Sequence, residues 1–98
     1  MKIRILLVDD EQDFVESLAE RLLLRDFDVV TTLNGIDAIK IVKDREFDVI
    51  FLDVKMPGMD GIETLKQIKN LKPLSEVIML TGNATVETAI EGMKLGAH

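Results

Sequence analysis

Asp48-Val49-Ile50-Phe51-Leu52-Asp53 is an unbroken run of four large apolar residues with a carboxylate at each end. A half-buried strand alternates apolar and polar residues. An unbroken apolar run marks a strand covered on both faces, as in a parallel sheet. Asp53 then poses a chemical question, because a carboxylate directly after such a run is costly to bury without a partner.

The same form recurs on either side of this stretch. Upstream, Ile3 to Val8 is an apolar run closed by Asp9-Asp10. Helical spacing follows, with Phe14, Leu18 and Leu22 on one face and Val15 and Ala19 beside them. Val29-Val30-Thr31 is weaker and predicts a short or peripheral strand. Asn34, with Asp37 three residues on, predicts an N-cap and its partner for a helix carrying Ile36, Ile39 and Val42. Downstream, the loop Lys55-Met56-Pro57-Gly58-Met59 leads to Asp60 and Glu63, which open a helix with Ile62, Leu65 and Ile68 inward. Val77-Ile78-Met79-Leu80 is the last run, closed by Thr81-Gly82. The final helix has Val86, Ile90 and Met93 on one face and Gly96 as its stop. Four strand–helix units predict an α/β domain with a parallel sheet, right-handed crossovers and helices on both faces.

Composition narrows the function classes. The chain has 98 residues, with 12 basic and 18 acidic side chains and a formal charge of −6. That length fits one small domain. With no cysteine, disulfides, thiolate catalysis and Cys-ligated metals are excluded. The single histidine, His98, is the last residue, so neither a His-rich metal site nor a Ser-His-Asp triad is expected. The acidic balance argues against direct nucleic-acid binding. No apolar run approaches the ~20 residues of a membrane span, and the first residues lack a signal-peptide cleavage site. A cytoplasmic, non-membrane protein is expected.

In open parallel sheets, ligands bind beyond the carboxyl ends of the strands. Those ends carry Asp9 and Asp10, Asp53 and Thr81. If the first and third strands are neighbours, three carboxylates meet at one edge. Like charges that close raise their own pKa values or recruit a cation. An oxygen-only donor set favours a hard ion. Mg²⁺ binds through one or two carboxylates with waters or phosphate oxygens, and an aspartate beside it is a candidate nucleophile toward phosphorus. Acids at a helix start also complement the helix dipole, which is the competing account of Asp10, Glu11 and Asp13. Asn83-Ala84-Thr85 matches a glycosylation pattern but is read as incidental, with a helix cap among these residues.

Val8-Asp9-Asp10, Leu52-Asp53 with Met56-Pro57-Gly58-Met59-Asp60-Gly61 after it, and Met79-Leu80-Thr81-Gly82 together resemble the receiver domain of two-component response regulators. The resemblance covers all 98 residues. It implies a flavodoxin-like, doubly wound parallel sheet with strand order 2-1-3-4-5, an order for which a receiver is itself a standard example. It implies a phosphoacceptor, Asp53, taking a phosphoryl group from the phosphohistidine of a sensor histidine kinase or a phosphotransfer protein. It further implies Mg²⁺ on Asp10 and Asp53, with Asp9 acting largely through water and the backbone carbonyl of Lys55 as a further ligand. Thr81 would bind the phosphoryl group and act as the switch, and Pro57 and Gly58 would shape the loop. Such a domain assists its own phosphorylation and dephosphorylation without being a turnover enzyme. Its readers would be an output domain or an effector protein.

The family pattern continues past His98 into a fifth strand and helix, so the (βα)4 chain over residues 1–98 is expected to be a C-terminally incomplete receiver domain. The fourth strand then becomes an edge, and the chain is expected to be either poorly folded or associated through that strand and its neighbouring helix, with an exchanged dimer as the specific form. Two other readings compete. A haloacid-dehalogenase-like Mg²⁺-dependent phosphatase needs a second Asp two residues after the nucleophile, where this chain has Lys55. A structural interaction module that is never phosphorylated would not need three carboxylates.

Overall fold

The computed structural model describes residues 2–53 and 61–80. Along the chain these form β1 (Arg4–Val8), α1 (Gln12–Leu24), β2 (Asp28–Thr32), α2 (Gly35–Asp44), β3 (Val49–Asp53), α3 (Gly61–Leu71) and β4 (Glu76–Leu80). The strands pair in parallel in the order β2-β1-β3-β4. β1 therefore lies beside β3, with Ile5 opposite Val49 and Val8 opposite Leu52. The final helix expected from the sequence lies outside the described residues.

The unbroken apolar run of β3 has a direct structural cause. Strand side chains alternate between faces, and both faces here are covered. Phe51 and Val49 join Ile5, Leu7, Val15, Leu18 and Leu22 on the side of α1. Ile50 and Leu52 join Leu6, Val8, Ala38, Ile39, Val42 and Ile68 on the side of α2 and α3. Burying each such side chain contributes about 1.5–3 kcal/mol, so two apolar clusters hold one strand from opposite sides.

The structure refines the expectations for β2 and corrects one for α3. β2 spans five residues, the same as its neighbours, because its pairing with β1 runs from Arg4↔Asp28 to Val8↔Thr32. It is peripheral, as expected, at one end of the described sheet. Ile62, expected inward, is 49% exposed, and Ile36 on α2 is likewise 52% exposed. The buried stripe of α2 is Gly35, Ala38, Ile39 and Val42, and that of α3 is Gly61, Thr64 and Ile68. Each helix buries its first glycine, and the next residue falls about 100° further round the axis.

The amino ends of the strands are tied together. Asp48 N–H donates to the Arg4 carbonyl at 2.9 Å, and Glu76 N–H donates to the Asp48 carbonyl at 3.1 Å. The Ser75 hydroxyl, on a buried residue, donates to the Phe47 carbonyl at 2.8 Å. Lys69 Nζ donates to the Ser75 carbonyl at 2.7 Å, and Lys72 pairs with Glu46. Between α1 and β2 the chain turns through Asp26 with φ at 69°.

Candidate metal centre

The carboxyl ends of β1 and β3 bring Asp9, Asp10 and Asp53 together. One carboxylate oxygen from each lies within 4.8 Å of the others. The sheet order makes this happen: β1 and β3 are adjacent and in register, so the residues just after Val8 and Leu52 meet at one edge. Asp9 and Asp53 are each only 7% exposed, whereas Asp10 is exposed. The donor set is all oxygen, with two buried members and one open to solvent.

Asp9 is held by the backbone at two points. Its N–H donates to the Thr32 carbonyl at the end of β2, at 3.3 Å. Its Oδ1 accepts from the Glu11 N–H at 2.9 Å, across the turn that leads into α1. α1 itself starts with Glu11 as N-cap, and the Glu11 side chain makes no capping hydrogen bond. At the neighbouring β2–α2 junction, the Asn34 side chain accepts from Asp37 N–H at 2.8 Å and donates to Asp37 Oδ2 at 3.0 Å, as the sequence predicts.

Burial pushes the Asp9 carboxyl up from 3.8 to about 6. The Glu11 N–H works against that rise, while Asp53, Glu11 and Asp10 add repulsion. A carboxyl this reluctant to ionise is one whose charge the protein alone does not balance. A hard divalent cation among three oxygen donors would supply that balance, and the all-oxygen donor set is of the kind Mg²⁺ takes.

Of the residues singled out from the sequence, the structure joins Asp9, Asp10 and Asp53. Lys55, Pro57, Gly58 and Thr81 lie outside the described residues. The two backbone groups on Asp9, from Glu11 and Thr32, carry no residue-type signal and were not legible in the sequence. Among the described residues, no helix is long and apolar enough to cross a membrane.

Residues 5–98 match the response regulator receiver domain family. The transcriptional regulatory protein ZraR of Salmonella typhimurium is 41% identical over 96 residues, covering 98% of this chain and 22% of that protein. The chain thus spans about a fifth of the length of that relative. Among solved structures, the Thermotoga maritima response regulator TrrA, in complex with Mg(2+)-BeF, superposes with a TM-score of 0.78 at 34% identity, covering 94% of this chain and 79% of that one. A Burkholderia pseudomallei response regulator with a phosphorylated aspartic acid, a calcium ion and citrate gives a TM-score of 0.79 at 28% identity, covering 98% and 56%.

Proposed function

The chain belongs to the response regulator receiver domain family, and from that premise we propose that it is a phosphoacceptor whose reacting group is the Asp53 carboxylate. The observation that carries this reading is the meeting of Asp9, Asp10 and Asp53 at one strand edge. The neighbours solved with Mg(2+)-BeF and with a phosphorylated aspartic acid support it.

Asp53 attacks the phosphorus of a phosphohistidine on a sensor histidine kinase or a phosphotransfer protein. A P–O bond to the carboxylate forms as the P–N bond breaks. The imidazole nitrogen keeps the electron pair and is reprotonated from water. Mg²⁺, when bound, would supply positive charge that offsets the carboxylates and the phosphoryl oxygens. Asp10 and Asp53 would hold the ion directly, with Asp9 acting largely through water and the backbone carbonyl of Lys55 as a further ligand. Position and electrostatics do most of the work in such transfers. The new phosphate carries about −1.5 to −2 charge. Thr81 meets it with a hydrogen bond, and a face read by an output domain or an effector changes. Pro57 and Gly58 shape the loop beside the phosphate. The domain is a switch, placed in the cytoplasm, where sensor kinases present their phosphohistidine.

Association through β4 is part of the same proposal. β4 has no strand on its outer side among the described residues, and Val77, Ile78 and Met79 are half-buried. Light scattering is expected to report a dimer, and a monomer across all concentrations overturns this part alone.

The phosphoacceptor reading is tested with Mg²⁺ and a small acyl phosphate as donor. Intact-mass measurement should show one added phosphoryl group, dependent on Mg²⁺ and absent in Asp53→Asn. Equal labelling of Asp53→Asn overturns it. Amide shifts around Asp9, Asp10 and Asp53 should move on addition of Mg²⁺ alone.

A further inference from the structure

Asn34-Gly35 is the chain's only Asn-Gly step, since Asn70 precedes Leu71 and Asn83 precedes Ala84. Between apolar runs such a pair usually makes a tight turn. Here it opens a helix instead. Asn34 is the N-cap of α2, and Gly35, the first residue of that helix, is buried. The Asn34 amide is committed at both of its ends. Oδ1 accepts from Asp37 N–H at 2.8 Å, and Nδ2 donates to Asp37 Oδ2 at 3.0 Å. The step is also reactive in itself, because glycine has no side chain to shield its main-chain nitrogen from the preceding amide.

We propose that Asn34 is a self-modification site, converted from amide to carboxylate by the Gly35 nitrogen and water, and that the reciprocal cap with Asp37 is the gate on this reaction. The Gly35 nitrogen gives its proton to hydroxide and attacks Asn34 Cγ. The N–Cγ bond forms and the Cγ–Nδ2 bond breaks. The departing nitrogen takes a proton from water and leaves as ammonia, returning the hydroxide. Water then opens the five-membered imide. Opening at Cγ gives aspartate, and opening at the main-chain carbonyl gives isoaspartate, whose main chain is one CH₂ longer. Nothing is oxidised or reduced. The chain gains one negative charge, and in the aspartate product a carboxylate faces Asp37 where an amide once donated to it.

The folded chain is held away from this reaction. Ring closure needs the Gly35 nitrogen and Asn34 Cγ on the same side of the Asn34 Cα–C bond. The extended Asn34 backbone, with φ −154° and ψ 161°, keeps the nitrogen out of that plane. Asp37 fixes the amide from the other side, and Ala38 N–H closes the first turn on the Asn34 carbonyl at 3.2 Å. Reaction therefore requires local opening of this turn, the kind of fluctuation that helix ends undergo most readily.

The full chain is incubated at mildly alkaline pH, folded in buffer or unfolded in guanidinium chloride, and peptide masses locate the change. Modification adds one mass unit, with ammonia lost and water gained. It is expected at Asn34 in the unfolded chain and about tenfold or more slower in the folded one. Two variants of the exposed Asp37 isolate the gate. Asp37→Ala deprives Nδ2 of its acceptor and keeps the main-chain N–H. Asp37→Asn removes the same charge and restores an acceptor oxygen. With each rate referred to that variant's own unfolded rate, Asp37→Ala should react about threefold or more faster than Asp37→Asn. Equal ratios in the two variants overturn the gate, as does a folded wild type that reacts as fast as the unfolded chain. An unfolded chain that gains no mass at Asn34 overturns the site itself. If Asp37→Ala does not fold, hydrogen exchange of the wild-type Asp37 amide decides. Protection supports the gate, and exchange at the rate of an open chain removes it. Every arm is run without Mg²⁺, so the phosphoacceptor reading stands or falls separately.

Discussion

Arg4 and Asp48 clasp each other across the start of β1 and β3. The Arg4 N–H donates to Asp48 Oδ2 at 2.9 Å, its Nε lies 3.4 Å from the same oxygen, and Asp48 N–H returns a bond to the Arg4 carbonyl. The Arg4 N–H, aided by the guanidinium, holds the Asp48 carboxyl below its ordinary 3.8. Its contribution is therefore complete above pH 3.8 and is lost as the pH falls through the lowered value. The pair is half exposed, so Asp48→Ala should cost only about 1 kcal/mol at neutral pH. Urea melts at neutral pH and near pH 3 check this, and the difference from wild type should shrink in acid.

Asp9 has the opposite sign. Its folded value of about 6 lies above the ordinary 3.8. The metal-free protein is thus favoured below pH 3.8 by this group and loses that advantage as the pH rises through about 6. Asp9→Asn should raise metal-free stability at neutral pH by up to about 3 kcal/mol, at roughly 1.4 kcal/mol per pH unit of displacement. It should weaken Mg²⁺ binding at the same time. Paired melts of the two proteins with and without Mg²⁺ test both halves, and a less stable metal-free Asp9→Asn contradicts the electrostatic account.

Asp26, with φ at 69°, occupies backbone space that suits glycine. Its pairing with Lys2 at 3.3 Å is between exposed groups and offsets little. Asp26→Gly should therefore stabilise the fold by about 1 kcal/mol. A lower melting temperature than wild type would count against backbone strain at this turn.

Ser75→Ala removes the donor to the buried-side Phe47 carbonyl. The expected cost is about 1–2 kcal/mol, with Mg²⁺ affinity unchanged. A shift in both quantities would mean that the two ends of the sheet are coupled.

The sheet and its acidic edge were legible because they rest on side-chain type. The unbroken run Val49–Leu52 identified β3 as a strand covered on both faces, Asp9, Asp10 and Asp53 stand where the first and third runs stop, and the adjacency of β1 and β3 followed from the family resemblance. Helix faces were read less well. Ile62 looked inward by hydrophobicity alone, but Gly61 is the buried residue at that end of α3 and Ile62 is exposed, just as Gly35 is buried and Ile36 exposed in α2. The hold on Asp9 was invisible for a different reason. It comes from the N–H of Glu11 and the carbonyl of Thr32, groups that every residue other than proline carries.

The stitched amino edge through Arg4, Asp48, Ser75 and Phe47 also has a practical consequence for anyone handling this molecule. Five-residue strands separate that edge from the acidic one by about 17 Å, roughly twice the screening distance in physiological salt. Charge added there is damped before it reaches the carboxylates. A fluorophore, a tether to a surface or a solubilising tag attached near Leu74, which is fully exposed between the anchored Lys72 and Ser75, should therefore leave the acidic edge undisturbed.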